Sequence, residues 1–191
     1  MAIADVRVGA PITGTGGILV GPTTSTLPTD ATSPVTGLEP AGYVGEDGIT
    51  MEQERSTENI IAWGGDTVRV LQTEHNVTFN WQFLETTGVV LGEVYGEDNV
   101  AASAGGAAVA ITSDTLPPRA YVFEMRDGDS RTRVIIPNLQ ITEVGETVFT
   151  HSDVIRYEVT ATAFPNDDGV KAWIVSGSGS VEEIGEGSEA A

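Results

Sequence analysis

The chain has 191 residues, no cysteine and a formal net charge of −19 at pH 7. This length suits one domain with long arms and suffices to bury a core. Because no disulfide can form, packing and assembly must supply the stability. Lys171 is the only lysine, so the surface should repel nucleic acids and anionic membranes rather than bind them.

Two interpretations of this acidity stay open. It indicates either a soluble, self-repelling surface or a wall along which DNA slides without sticking. The first residues show no basic flank followed by a long apolar run, so no secretory signal is predicted. No segment approaches the roughly 20 apolar residues that a membrane-spanning helix needs.

Residues 1–40 are predicted to form an extended N-terminal arm with one short strand. Residues 2–8 are the candidate for that strand. Beyond them the chain is rich in Gly, Pro, Thr and Ser, and prolines recur at every sixth position from Pro22 to Pro40. Proline excludes a helix here, so the arm is either a mobile tail or a segment that orders against a neighbouring chain.

Residues 43–66 are predicted to contain a short strand, a turn and an exposed extended segment. The strand covers residues 43–49 and runs into the turn at 46–48. Residues 51–61 have residue types that favour a helix, yet no apolar stripe recurs at helical spacing, so an extended arm is predicted. Gly64 and Gly65 permit a sharp reversal after it.

Residues 67–84 predict the longest strand, or two strands joined at 73–76. From Val77 onwards apolar and polar residues alternate with a period of two, which is typical of a strand with one buried and one wet face. The buried face is predicted to hold Val77, Phe79, Trp81 and Phe83. The wet face is polar and uncharged, and it is predicted to hold Asn76, Thr78, Asn80 and Gln82.

One helix is predicted, after this strand. Thr87 is a suitable N-cap, the apolar residues from Val90 to Tyr95 share one face, and Gly96 is a suitable C-terminal stop. Residues 97–106 are predicted to be a loop. Further short strands follow up to residue 175, with a hairpin turn at 127–130.

The predicted fold class is therefore mainly β, an antiparallel β-sandwich or partial barrel with one short helix and extended arms. The predicted domain covers residues 41–175. The last 16 residues, 176–191, are rich in Gly, Ser and Glu and are predicted to be a flexible C-terminal tail.

Residues that could carry chemistry form no catalytic or ligand-binding pattern. His75 and His151 are the only histidines, and they are far apart in the sequence. The acidic pairs at 46–47, 127–129 and 167–168 each adjoin a glycine and are expected to form turns. No nucleophile elbow or phosphate-binding loop is present, so no enzyme activity, metal site or cofactor is predicted.

An ordered series of short motifs resembles the major tail tube proteins of long-tailed, non-contractile (siphovirus-type) bacteriophages, especially those of actinobacteria. The motifs occur in order between about residues 38 and 175. They are Gly42–Ile49, Glu54–Ile60, Ala62–Asp66, Ala120–Phe123 with Asp127–Asp129, Val134–Pro137, and Tyr157–Ala161 with Phe164-Pro165.

This resemblance implies a β-sandwich whose inner sheet joins those of neighbouring subunits into one ring-wide β-barrel. It implies rings of six subunits that stack into a hollow tube, with loops and arms bridging one ring to the next. Double-stranded DNA would pass through the tube without being specifically bound. The implied partners are other copies of the chain and the tail terminator, tape measure and distal tail proteins. No membrane partner is implied, and the location is the virion after assembly in the host cytoplasm.

On this resemblance, residues 45–66 are interpreted as an inter-ring loop and the wet strand face as the lining of the channel. The lumen-facing candidates are Asn76, Thr78, Asn80 and Gln82. The predicted inter-ring contacts are Tyr43, Glu46, Asp47, Glu52, Glu54, Arg55, Glu58, Trp63 and Arg69.

Two alternatives remain at this stage. One is a β-sandwich binding module, for a carbohydrate or a surface receptor, in a virion or bacterial surface protein. The other is an acidic glycoside hydrolase, which would need one carboxyl group in an apolar pocket. Self-assembly into tubes would separate the structural subunit from both.

Overall fold

The computed structural model describes residues 6–103 and 105–182 and shows a mainly β chain with one short α-helix. The predicted fold class is therefore confirmed. Among the described residues, no helix is long and apolar enough to cross a membrane. The strands are β1 (Ala10–Pro11), β2 (Gly17–Pro22), β3 (Glu39–Tyr43), β4 (Thr50–Ile61), β5 (Thr67–Phe83), β6 (Val100–Ser103), β7 (Gly106–Val109), β8 (Arg119–Asp127), β9 (Ser130–Val144), β10 (Tyr157–Ala163) and β11 (Trp173–Ser176); the helix α1 is Gly88–Tyr95, and a 3₁₀ turn, Glu97–Asn99, follows it.

One large antiparallel sheet organises the chain, in the order β3-β2-β8-β9-β10-β5-β4. β1 pairs with β8, β11 pairs with β9, and β6 and β7 form a separate hairpin. The end of β3 returns to β5 through a bridge between Val44 and Phe83, where the Leu84 amide donates to the Tyr43 carbonyl at 3.0 Å. The sheet therefore curls around a core and meets itself at one bridge, without closing into a barrel.

Alternation along β5 builds the core. Phe79, Trp81 and Phe83 are buried, as predicted. They meet aromatic residues of β8 edge to face, with ring centroids 5.4 Å apart for Phe79 and Phe123 and 5.7 Å apart for Trp81 and Tyr121. Such T-shaped pairs add to the stability that burial provides.

Helix α1 covers the open side of this core, and its predicted ends are confirmed. The Thr87 hydroxyl accepts a hydrogen bond from the Val90 amide at 3.3 Å, and Gly96 ends the helix with a φ of 95°. The buried Glu93 carboxylate fastens the helix to β8, because it accepts a 2.5 Å hydrogen bond from the Tyr121 hydroxyl and lies 3.1 Å from the Arg119 Nε. Burial raises the pKa of Glu93, and these two partners oppose that rise.

The predicted N-terminal arm contains a strand of the main sheet. β2 lies between β3 and β8, and Ile18 and Val20 are part of the core. On the other face of the sheet, Leu19 packs with Val122, Ile135 and Val175, and apolar residues of the loop after β2 cover this second cluster. Residues 17–22 therefore belong to the sheet rather than to an arm, because their apolar side chains are buried on both faces.

Other differences from the sequence predictions are local. Within the predicted 2–8 strand, residues 6–8 are not in a strand, and residues 2–5 lie outside the described part. Residues 51–61 are extended, as predicted, but they are paired with β5 along their whole length. The predicted loop at 97–106 contains a 3₁₀ turn and β6. Most of the predicted C-terminal tail lies outside the described residues.

A buried ion pair ties the loop after β2 to the sheet. The Arg133 guanidinium lies 2.7 Å from the Glu124 carboxylate, and both side chains are almost fully buried. Arg133 also donates to the Asp30 carbonyl at 2.9 Å. Asp30 caps its own loop, since hydrogen bonds from Ser33 and Thr32 hold the pKa of its carboxyl group well below the usual range.

Removing one partner of this pair should unfold the domain more easily. We expect Arg133→Met to lower the free energy of unfolding by about 3–5 kcal/mol, because the Glu124 carboxylate would stay buried without its counter-charge. Urea unfolding measures the change. The control is Arg131→Met, an exposed arginine on the same strand, which should change stability by no more than about 0.5 kcal/mol. Equal effects of the two variants would contradict the assignment.

Candidate assembly surface

The outward side of β5 and β10 forms a continuous polar sheet face. Gln82, Asn80 and Thr78 lie directly opposite Glu158, Thr160 and Thr162 in the pairing register. The Thr160 hydroxyl donates to the Asn80 side-chain oxygen at 2.6 Å. Directly paired residues of an antiparallel pair share one face, so these side chains form one surface opposite the aromatic core.

β4 extends this surface with carboxylates. Thr50, Glu52 and Glu54 pair with Asn80, Thr78 and Asn76 and therefore lie on the same face. We call this surface the polar face and define it by Thr50, Glu52, Glu54, Ser56, Glu74, Asn76, Thr78, Asn80, Gln82, Glu158, Thr160 and Thr162. It contains four carboxylates and neither lysine nor arginine.

Arg55 lies on the opposite side of β4 from its acidic neighbours. It pairs with His75, and its guanidinium donates to the Gln72 side-chain oxygen at 3.2 Å. The sequence places Arg55 among Glu52, Glu54 and Glu58, but strand alternation separates Arg55 from Glu52 and Glu54. No cation from β4 therefore offsets the carboxylates of the polar face.

On the side of Val77 that is away from Phe83, β4 and β5 leave the core and continue as a projecting hairpin. From residue 57 to residue 74 every side chain is exposed except the half-buried Ala62. The turn closes where the Ala62 amide donates to the Asp66 carbonyl at 2.8 Å and Gly65 adopts a φ of 91°, which confirms the predicted reversal. Trp63 at this tip is fully exposed, at 106%.

The hairpin tip is unusually apolar for a solvent-exposed segment. The large exposed apolar residues near the tip are Ile60, Ile61, Trp63, Val68, Val70 and Leu71. A two-stranded hairpin is marginally stable alone, and an exposed edge strand is a template for pairing with another chain. The tip is therefore a candidate contact with a neighbouring molecule.

Comparison with known proteins agrees with the resemblance noted in the sequence. A family model described as phage tail tube protein matches residues 2–181. The chain belongs to the phage tail tube protein family. No curated protein sequence matches it.

Similar solved structures include the tube-terminating cap of the anti-feeding prophage, at 12% identity over 93% of this chain and 100% of that chain, with a TM-score of 0.46. They also include the sheath–tube complex of the PVC extracellular contractile injection system in its extended state. That match has 10% identity over 94% of this chain and 99% of that chain, with a TM-score of 0.44.

This tail tube protein is accordingly a structural subunit of a phage tail. The family assignment favours that role over the binding module and over the glycoside hydrolase. The nine predicted inter-ring residues are, however, not gathered at one place. Six of them, Glu52, Glu54, Arg55, Glu58, Trp63 and Arg69, lie on β4, β5 or the turn that joins them. The other three, Tyr43, Glu46 and Asp47, lie around the turn that precedes β4.

The two groups occupy opposite ends of β5. Tyr43 and the turn at 45–48 contact the strand at residues 82–84, and the tip residues lie at its other end. Seventeen residues at about 3.3 Å each span about 55 Å. Tyr43 and Trp63 of one tail tube subunit therefore cannot share one contact, and they mark two different ends of it.

Sequence reasoning missed an apolar loop at the Tyr43 end. Tyr157 begins β10 beside Phe83, so the loop at 145–156 that precedes it lies beyond that end of β5. Val148, Phe149 and Val154 in this loop are exposed. The pattern Thr-Val-Phe-Thr at 147–150 predicts a strand, yet these residues form none, because no neighbouring strand of the described chain pairs with them.

His75 lies where the hairpin leaves the core and should make the stability of the tail tube subunit depend on pH. Burial and the positive charges of Arg55 and Lys171 lower the pKa of His75 below 6.5. The folded state therefore binds a proton less readily than the unfolded state. The stabilisation is present above the unfolded pKa and is lost as pH falls towards the folded pKa.

We therefore expect the urea midpoint of the wild-type protein to fall between pH 7 and pH 5 by more than that of His75→Gln. The control His151→Gln changes the other histidine, which is exposed, and should retain the wild-type pH dependence. Identical pH profiles for wild type and His75→Gln would show that His75 titrates alike in both states.

Proposed function

We propose that this chain polymerises as stacked rings into a hollow tail tube, and that the polar face lines the channel through which DNA leaves the virion. The observation that supports this proposal most directly is the polar face itself. It presents amides, hydroxyls and carboxylates across three strands. Arg156 adjoins its end beside Gln82 and Glu158, and its guanidinium is paired with Asp153 at 3.0 Å. A surface of this kind offers phosphate no unpaired charged donor to hold it.

The carboxylates of the polar face would keep DNA away from the wall. Glu52, Glu54, Glu74 and Glu158 repel phosphate, and at physiological salt this repulsion is screened beyond roughly 8 Å. Within that layer, a moving duplex meets polar groups that exchange hydrogen bonds with water. The channel would therefore be wet, negative and weakly interacting.

Ring closure would satisfy the outer edge of β4. In the described chain, β4 pairs only with β5, and its other edge is open over twelve residues. Pairing this edge with a neighbouring subunit would continue the sheet around the ring and remove an aggregation-prone edge. The number of six subunits per ring and the ring-wide barrel are taken from the resemblance to tail tube proteins.

Contacts between rings would rest mainly on apolar groups. The exposed pairs that Arg55 and Arg69 can make with carboxylates contribute only about 0–1 kcal/mol each. Full burial of a large apolar side chain such as Ile60 or Ile61 contributes about 1.5–3 kcal/mol. The hairpin tip is therefore the stronger candidate for inter-ring binding, with Tyr43, Glu46 and Asp47 at the other end of the subunit.

The proposed setting is a siphovirus-type virion, with assembly in the host cytoplasm. The tube would meet the tape measure protein inside it and the tail terminator and distal tail proteins at its ends. The role requires neither catalysis nor a cofactor. Negative-stain microscopy of the concentrated protein tests the proposal: tubes of uniform bore are expected, and a globule that stays monodisperse at all concentrations would refute it.

Shortening the hairpin should prevent stacking without unfolding the domain. Ser56 and Glu74 are paired, so Asn-Gly can replace residues 57–73 as a two-residue turn that keeps the strand register. We expect a folded protein that forms no long tubes, as judged by circular dichroism and microscopy. Tubes of normal length would remove the hairpin from the inter-ring contact.

Adding cations to the polar face should make assembled tubes retain DNA. We expect Thr78→Lys with Asn80→Lys, both on the polar face, to assemble and to bind DNA in a salt-dependent way, with roughly one unit of log–log salt slope for each phosphate contacted. Ala101→Lys with Ala108→Lys is the matched control. These exposed alanines are paired on the β6–β7 hairpin, beside α1 and across the core from the polar face. DNA retention by both variants, or by neither, would contradict the channel assignment.

A further inference from the structure

The loop at 145–156 and the end of the polar face enclose a cleft of about 240 Å³. Its apolar wall is formed by Val148 and Val154. Its polar rim consists of Gln82, Glu146, Thr150, Asp153, Arg156 and Glu158, three carboxylates and one arginine. It lies at the end of β5 opposite the hairpin tip, as the pairing of Tyr157 with Phe83 requires. The subunit thus carries an apolar projection at one end and an apolar-walled recess at the other.

We propose that the cleft is the socket for the hairpin tip of a second copy of this chain, and that Trp63 of that copy is its anchor. This inference rests on the proposed function, because it names the surface that receives the tip when rings stack. Moving one subunit along the direction of β5 brings its tip towards the cleft of the next. Such a head-to-tail contact uses two different surfaces and leaves both ends of the assembly open for further growth.

The two surfaces are both apolar at their centres. Trp63 is fully exposed, and a tryptophan that fills a desolvated pocket is a frequent centre of binding energy at interfaces. Ile60 and Ile61 beside the tip would cover the exposed Phe149 next to the cleft. An apolar tip in water and an apolar loop in water are both unfavourable, and one contact would bury the two together.

The charges of the two surfaces also agree. Residues 60–71, around the tip, contain one carboxylate, Asp66, and one arginine, Arg69, so the tip is neutral in a chain of net charge −19. The rim of the cleft carries Glu146 and Glu158 in addition to the exposed pair of Asp153 with Arg156 at 3.0 Å. Arg69 forms none of the ion pairs found among the described residues. A neutral tip that carries Arg69 can therefore approach this acidic rim without net repulsion.

The absence of cysteine from the chain makes cross-linking a direct test. Thr67→Cys lies beside the tip, opposite Ile61, and Thr150→Cys lines the cleft. The two full-length variants are purified separately, mixed, assembled and treated with a short thiol–thiol cross-linker. We expect a covalent dimer from the mixture and none from either variant treated alone. The control mixture pairs Thr67→Cys with Ala101→Cys on β6 and should give no dimer.

The anchor is tested by Trp63→Ser, which should abolish the cross-link when combined with Thr67→Cys, whereas Trp63→Phe should retain it. Wild-type tubes that form while the Thr67→Cys and Thr150→Cys mixture gives no dimer would overturn the socket and leave the proposed function intact. Failure of the wild-type protein to form tubes would refute the proposed function instead.

A second measurement covers the case in which the cysteine variants do not assemble. Amide hydrogen exchange of wild-type tubes, compared with the free protomer, should slow at both 57–72 and 145–156. Slowed exchange at the hairpin with unchanged exchange at 145–156 would overturn the socket, because the tip would then be bound elsewhere.

Discussion

The alternation of side chains along β5 is the constraint on which the other features depend. Phe79, Trp81 and Phe83 build the aromatic core, and Thr78, Asn80 and Gln82 between them build the polar face. A slip of one residue would exchange the two sets. Pairing with β4 on one side and β10 on the other holds the register, together with the hydrogen bond from Thr160 to Asn80. Core packing and the chemistry of the polar face are therefore set by the same strand.

The same strand also carries the part of the molecule that has no core. Between residues 57 and 74, β4 and β5 form a two-stranded segment whose side chains are exposed. No side chain from residue 57 to residue 74 is buried, so the stability of this segment in the free protomer should be low. In the proposed tube, lateral pairing of β4 would add backbone hydrogen bonds, and burial of the tip would remove its apolar side chains from water. Order in the hairpin would then be coupled to assembly rather than to folding of the domain.

Sequence reasoning succeeded where one face of an element is buried and the other is wet. Residues 77–83 show this period, and helix α1 shows both its cap at Thr87 and its stop at Gly96. It failed for β2, which is buried on both faces and so shows an apolar run too short to interpret. It also could not identify β4 as a strand, because neither face of the hairpin is buried and no period-two pattern is required there.

The strand face on which each candidate residue lies also depends on which segments form strands. Glu54 and Arg55 are adjacent in sequence and lie on opposite faces, which follows only once residues 50–61 are known to form a strand. Thr73 is an extra residue in β5, because Ser56 pairs with Glu74 and Thr57 pairs with Gln72. This bulge changes which side chains share a face between Thr73 and the tip. Tyr43 and Trp63 are both predicted as inter-ring contacts, and the length of β5 separates them. Long-range pairing of this kind leaves no local signal.

Charge distribution explains how such an acidic chain could still polymerise. A net charge of −19 on every protomer opposes close approach of copies. The tip at residues 60–71 has no net charge, so the segment proposed to make the contact adds little to that repulsion. The carboxylates on the polar face would point into a water-filled channel, where solvent and counter-ions screen them. The proposed design thus separates the two demands on the subunit: negative charge where DNA passes, and apolar, neutral surface where copies meet.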